Sequence, residues 1–210
     1  MMAESKYHIN FALQSTFKMS HERHIEDLKE IRSLMEKSTR FLSLSGWSGI
    51  MAGVYALIGA YLFNLPHTEI SGLFEIIVIG AAVMAASLVT GAILTYIKAK
   101  KNNETMFSTS AVRMLVHIGF PMVVGALFCL AMVLDGDTKF TAGILLIFYG
   151  LGLINGSKYT LNDIRVLGVV NVLLGVLALF LTHYGLYFWA TGFGLGHIVY
   201  GAYMWLRYER

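Results

Sequence analysis

The sequence predicts an all-α protein: a polytopic membrane bundle of six transmembrane helices with an N-terminal cytoplasmic amphipathic helix. Three observations predict it. Of 210 residues, 56% are hydrophobic and only 14% are charged, against about 25% charged in an ordinary soluble domain. Six apolar stretches, about 42–64, 74–97, 111–134, 140–157, 166–182 and 186–206, have the roughly 20-residue length that a helix needs to cross a hydrocarbon core. The segments between them are short and polar, so residues 41–210 form one membrane domain and residues 1–40 an arm.

Lysine and arginine set the orientation. With the N-terminus cytoplasmic, 15 of the 16 basic residues fall on the cytoplasmic side and only Lys139 on the other. That asymmetry is the positive-inside pattern, and it places both termini in the cytoplasm of a multi-pass inner-membrane protein. The net charge of +3 is therefore topological, and no nucleic-acid partner is needed to explain it. Tyr61, Tyr184, Tyr187 and Trp189 mark one membrane interface; Tyr96, Tyr159, Trp205 and Tyr208 mark the other. No uninterrupted apolar run precedes the first span, so that span itself is expected to direct insertion.

In the arm, "SHERHIEDLKEIRSLMEKSTRF" places Ile25, Leu28, Ile31, Met35 and Leu42 at helical spacing behind Ser20 as N-cap. Glu36 and Arg40 make a favourable i,i+4 pair. No breaker separates this helix from the first span, so it is expected to run on into it or to bend only slightly. Its apolar stripe has three candidate covers: the bundle's own cytoplasmic face, a second copy (a homo-oligomer), or another cytoplasmic protein engaging residues 20–41. Residues 1–19 show no clear pattern.

The spans themselves carry small residues, which let helix backbones approach where lipid offers no hydrophobic drive. The first has Ser48, Ala52, Ala56 and Ala60 beside Ser45, Gly49 and Gly53. The second offers Gly80, Ser87 and Gly91; the fourth Gly143, Gly150, Gly152 and Gly156; the fifth Gly168, Gly175 and Ala178. In the sixth, Ala190, Gly194, His197 and Gly201 share one face at 100° per residue, which turns the imidazole toward a neighbouring helix. "SGIMAGVYAL" in the first span also aligns without gaps with "AGILLIFYGL" in the fourth, a pattern that an inverted three-helix repeat would produce.

Acids and bases are confined to span ends, which weighs against pumps, voltage sensors and proton-coupled transporters. The polar residues within the spans are His117, Asn155, Asn171 and His197, with Trp47, Ser45 and Ser48 at the inner end of the first. At 1.5 Å per helical residue, His117 lies about 6 Å inside Arg113, Asn171 about 9 Å inside Arg165, and His197 about 15 Å inside Arg207. Pro121 leaves the His117 carbonyl without its helical donor. A cytoplasm-facing pocket lined by His117, Asn155, Asn171, His197, Trp47 and Tyr200 is thus one expectation. Plain interhelical hydrogen bonding, worth about 1 kcal/mol a pair, is the other. No cofactor is expected; haem or a metal shared by His117 and His197 is a third option that requires the third and sixth helices to be neighbours. The single cysteine, Cys129, reads as a small buried hydrophobe. His67, Glu69, Glu75, Asp135, Asp137 and His183 read as solvated loop groups. No H-E-x-x-H, G-x-S-x-G or P-loop occurs, so the reading leans away from an enzyme.

The stretch "LKEIRSLMEKSTRFLSLSGWSGIMAGVYALIGAYLF", with the tail "YGLYFWATGFGLGHIVYGAYMWLRYER", resembles an uncharacterised family of small six-helix bacterial inner-membrane proteins. The resemblance implies an inner-membrane location and brings no activity, cofactor or site residue with it. Two functions remain: a non-enzymatic sensor or accessory subunit whose cytoplasmic helix engages a partner, and a small transporter or ligand-binding bundle using the inner pocket.

Overall fold

The computed structural model divides into two compact units, Met1–Thr39 and Arg40–Arg210. It describes residues 28, 31, 35, 40, 41, 43–65, 72–102, 105 and 107–210, the side chains of 72–76 excepted. In the first unit Leu28, Ile31 and Met35 are helical and exposed by 65%, 53% and 65%. Ser20, Ile25, Glu36, Leu42, His67, Glu69 and the side chain of Glu75 lie outside the described residues.

The second unit is helical, with no strand among the described residues. Its elements are α1 (Gly46–Phe63), α2 (Gly72–Lys101), α3 (Thr109–Leu134), α4 (Thr141–Gly156), α5 (Ile164–Phe180) and a final rod. The rod consists of α6 (Gly185–Trp189), a π-helical segment (Ala190–Leu195) and α7 (Gly196–Tyr208). Among the described residues, four stretches are long and apolar enough to cross a membrane: Gly46–Phe63, Ile77–Lys101, Thr109–Leu134 and Thr138–Gly156. Helix α5 is apolar but has 17 residues, and the final rod is divided by its π segment. Those two stand where the fifth and sixth spans were expected, and neither reaches the same length as an uninterrupted α-helix.

The distribution of side chains is the reverse of a water-soluble protein. Large apolar groups such as Leu115, Phe120, Leu127, Leu173 and Phe180 are exposed, while Ser43, Ser157, Thr160 and Asn171 are buried. Such a surface suits lipid as its solvent. Glycine is the commonest residue type in the interior. On α4 and α5, Gly150 and Gly168 face each other so closely that a Cβ on the first would lie 2.5 Å from the carbonyl oxygen of the second, and 2.8 Å in the reverse direction. Gly143 and Gly175 form a second such pair at 2.9 and 2.8 Å. On α1, a Cβ on Gly46 or Gly53 would stand 2.6 or 2.5 Å from the carbonyl oxygen of Gly201 or Gly194. A third seam runs between α3 and α4, where a Cβ on Gly152 would stand 2.8 Å from the Ile118 carbonyl oxygen. Removing the side chain at these contacts lets backbones touch, which is how helices gain dispersion energy in lipid. Helix α2 departs from expectation, since a Cβ on Gly80 or Gly91 would meet nothing within 4 Å. It lies against α1 at the periphery with most of its surface open.

Helix α1 has two main neighbours, α2 and the final rod, and α4 likewise packs on α5 and α3. Exchanging the first three helices with the last three preserves this pattern, as an inverted repeat would. At the end of α3 the chain reverses through Gly136, whose φ of 84° lies in the left-handed region. The Asp137 amide reaches back to the Met132 carbonyl at 2.9 Å and the Gly136 amide to Val133 at 3.1 Å, a Schellman closure that satisfies two orphan carbonyls. Helix α3 itself runs through Pro121 without interruption, and its N-terminus is capped by Ser108, whose hydroxyl accepts from the Ala111 amide at 3.2 Å.

The entry into α1 corrects the expectation of a continuous arm-and-span helix. Phe41 and Ser43–Ser45 are not helical, and Ser45 is extended (φ −87°, ψ 131°). Here the chain bonds to distant partners instead of its own turn. The Phe41 amide donates to the Tyr159 carbonyl at 2.8 Å, Thr160 Oγ1 donates to the Phe41 carbonyl at 2.7 Å, and Lys98 Nζ donates to the Leu44 carbonyl at 2.6 Å. Lys98 also pairs with Glu209 at 2.9 Å, and Glu209 accepts the Gly46 amide at 2.6 Å. The start of α1, the end of α2 and the end of α7 are therefore tied together at the basic end of the bundle.

Candidate functional site

The strongest polar constellation within the bundle lies where α4, α5 and the final rod meet. Its origin is the π segment. Six residues, Ala190–Leu195, follow i→i+5 geometry, which widens the turn and disturbs the regular carbonyl ladder. His197, five residues after Gly192, puts its ring Nδ1 3.1 Å from the Gly192 carbonyl oxygen. A carbonyl can only accept, so Nδ1 carries the proton; in the neutral ring Nε2 is then the acceptor. That nitrogen receives the hydroxyl of Tyr149, from α4, at 2.5 Å. The imidazole, 7% exposed, is thus fixed in tautomer and orientation by α4 on one side and by the π segment of its own rod on the other. Phe193 stacks on it at 5.9 Å and Trp189 lies 5.4 Å beyond Phe193, so residues 189, 193 and 197 form an aromatic ladder along the rod.

Asn171 of α5 belongs to the same junction. Its Nδ2 donates to the Leu167 carbonyl one turn back at 2.8 Å, while Oδ1 has no partner although the residue is fully buried. That oxygen faces Gly192: a Cβ there would come within 2.7 Å of it. Asn171 and His197 therefore converge on the two sides of one glycine. The hydroxyl of Tyr200 is also buried without a partner, with its ring against Leu153, Ile164 and Leu167. A junction that holds an acceptor, a hydroxyl and a fixed imidazole can receive hydrogen bonds and give them.

The remaining expected pocket residues are elsewhere. His117 of α3 is half-buried and pairs through Nε2 with the Tyr159 hydroxyl at 2.8 Å, ring against ring at 4.6 Å. Each histidine thus has a tyrosine of its own on Nε2, and a shared iron or metal would have to displace both. Asn155 is exposed on the outer side of α4, because the helix turns Gly152 and Gly156 toward α3. Trp47 is exposed by about half and sits edge-on to Trp205 at 6.1 Å. Of the six sequence-chosen residues, Asn171 and His197 meet at Gly192; Tyr200 packs, with Tyr149, on the neighbouring cluster of Leu153, Ile164 and Leu167; His117, Asn155 and Trp47 do not join them. Tyr149 and Tyr159 were missed. For Tyr149 the signal is a tyrosine deep in an apolar span, since its hydroxyl needs a partner when buried; Tyr159, beyond the end of its span, carries no such signal.

At the basic end, beyond the expected sixth span, Tyr208 donates to Asp163 Oδ2 at 2.7 Å. That hydrogen bond, with some burial and the Asp163 charge, raises the phenol above its ordinary value of 10.0.

A cleft of about 340 Å³ opens at the other end, where Lys139 is the only lysine or arginine among the described residues. It lies between the end of α1, the first turns of α2, the first turns of α4 and the start of the final rod. Its mouth carries Lys139, Thr182 and His183, and its wall includes Trp189, the first rung of the ladder to His197. The sequence had suggested a pocket at the basic end instead. Comparison of the chain with family models, curated proteins and solved structures finds no match in any of the three.

Proposed function

We propose that the chain is a six-span inner-membrane protein, both termini cytoplasmic, that works without catalysis as a sensor or accessory subunit whose N-terminal helix engages a protein partner. One observation carries this reading: Leu28, Ile31 and Met35, spaced as one stripe of a helix, are more than half exposed. In a cytoplasmic segment three such residues are a contact surface awaiting a cover. The final helices, α5 and the π-interrupted rod, complete the six crossings: their large apolar groups, Leu173, Phe180 and Val199 among them, are exposed and call for lipid, and two further crossings keep both termini on the basic side. A photo-crosslinking residue placed at Leu28, Ile31 or Met35 tests the proposal in native membranes. Adducts to a second protein, or to a second copy, support it. Adducts confined to the chain's own bundle refute it, as does unchanged co-purification after deletion of residues 1–40.

The ligand-binding reading has its own support in the two unpartnered buried groups, Asn171 Oδ1 and Tyr200 Oη. On this reading the inner site consists of Tyr149, Asn171, His197 and Tyr200. His197→Ala then changes the ligand-dependent melting point of the purified protein. A broad compound screen that shifts neither wild type nor variant refutes it.

A further inference from the structure

The cleft at the lysine-poor end has the make-up of a site for an amphiphile. Its inner wall is apolar, with Phe63, Leu145, Leu186 and Trp189. Its mouth is polar and carries positive charge. Lys139 stands 58% exposed there, 3.4 Å from Asp137 and over the Phe140 ring at 4.8 Å. An exposed pair at that distance contributes little, so the ammonium can exchange Asp137 for a better-placed anion. Thr141, also lining the cleft, supplies an independent observation. The residue is only 8% exposed, yet its hydroxyl has no hydrogen-bond partner. It occupies the first position of the 16-residue helix α4, which no side chain caps. Positive helix end, ammonium and orphan hydroxyl all border this one cleft, and each favours negative charge there.

We propose that this cleft binds a single-chain anionic amphiphile, a long-chain carboxylate, with its head at Lys139 and Thr141 and its tail along Leu145, Leu186 and Trp189. The volume, about 340 Å³, lies at the low end of ligand pockets, which suits one acyl chain and not two. The proposal is independent of the partner bound by the N-terminal helix. Its physical link to the rest of the molecule is Trp189, which touches the ladder through Phe193 to His197.

Trp189 also supplies the measurement. Trp47→Phe/Trp205→Phe leaves it as the sole indole, and both removed tryptophans lie at the opposite end of the bundle. In neutral detergent, a terminally brominated long-chain fatty acid should quench Trp189 saturably. The methyl ester of the same acid, identical in tail and neutral in head, should bind about tenfold more weakly, the weight of one charge-assisted hydrogen bond. Lys139→Gln should weaken the acid by a similar factor and leave the ester unchanged, and Thr141→Val should do the same. Non-saturating quenching, equal affinity for acid and ester, or equal binding of a brominated two-chain phospholipid each overturns the proposal. Should the double variant misfold, the wild-type protein gives the same answer by thermal shift: the acid raises the melting point and the ester does not, and equal shifts overturn the proposal.

Discussion

Gly150→Ala tests the seam between α4 and α5 at its closest approach. The new Cβ would stand 2.5 Å from the Gly168 carbonyl oxygen and 2.9 Å from the Val172 amide. Ordinary contact begins near 3.4 Å, so the helices must separate locally by about 0.9 Å, the difference between 3.4 and 2.5 Å. The Val172 Cγ2 at 2.8 Å can turn aside, but the other two obstructing atoms are backbone, which no rotamer change can move. Overpacking of this kind costs about 1–3 kcal/mol, and a backbone clash belongs near the top of that range. Alanine returns about 1 kcal/mol through its better helix propensity, leaving a net loss of about 2 kcal/mol. Gly80→Ala is the matched control: the same chemical change on α2 meets nothing within 4 Å and should be neutral or stabilising by up to about 1 kcal/mol. Both variants can be compared by SDS titration followed by circular dichroism. Cys129, the single cysteine and buried against the Thr141 carbonyl, gives a second readout. Its labelling by a thiol reagent should accelerate about 30-fold in Gly150→Ala if opening of the bundle limits access. Equal stability of the two variants, or a greater loss for Gly80→Ala, would refute the argument that backbone contact holds α4 to α5.

Other expectations concern the polar groups. Tyr149→Phe removes the only partner of His197 Nε2 and should destabilise the bundle by about 1–3 kcal/mol, the penalty of an unpaired buried acceptor; the same titration measures it. Asn171→Leu removes an acceptor that has no partner, so it should stabilise the ligand-free protein by about 1 kcal/mol, and destabilisation would show that Oδ1 is satisfied in solution. Tyr208, its phenol raised by Asp163, is more protonated folded than unfolded at alkaline pH. Its contribution is complete below pH 10 and fades as pH rises through the raised value. Melting temperature against pH should therefore fall less steeply above pH 10 in Tyr208→Phe than in wild type. The effect is small because Tyr208 is exposed by more than a third.

Helix positions were legible in the sequence because apolar runs end abruptly at charged or glycine-containing turns. The expected stretch 111–134 corresponds to Thr109–Leu134, and 186–206 to the rod Gly185–Tyr208. The α4–α5 glycines were legible too, since small residues spaced to share a face have little other use there. Two kinds of information were not. A helical wheel assumes 100° per residue, and the π segment breaks that phase, so Gly192 is buried where Ala190 had been expected. Nor does one helix reveal who its neighbours are: Gly80 and Gly91 look like a packing face and have no partner, and Asn155 shares a span with buried glycines while pointing out. The break before α1 was hidden for a related reason. It depends on Tyr159 and Thr160, more than a hundred residues away, and no local rule reaches that far.

The paired glycines restrict how this chain can vary. Hydrogen is the smallest substituent an α-carbon can carry, so a bulkier residue at Gly150 cannot be matched by trimming Gly168, and the same holds for Gly143 with Gly175 and for Gly46 with Gly201. Within each glycine pair, compensating substitution, the ordinary escape route for a tight interior, does not exist. Diversity introduced into the protein should accumulate on its outward aliphatic faces, while those six positions admit only reversion.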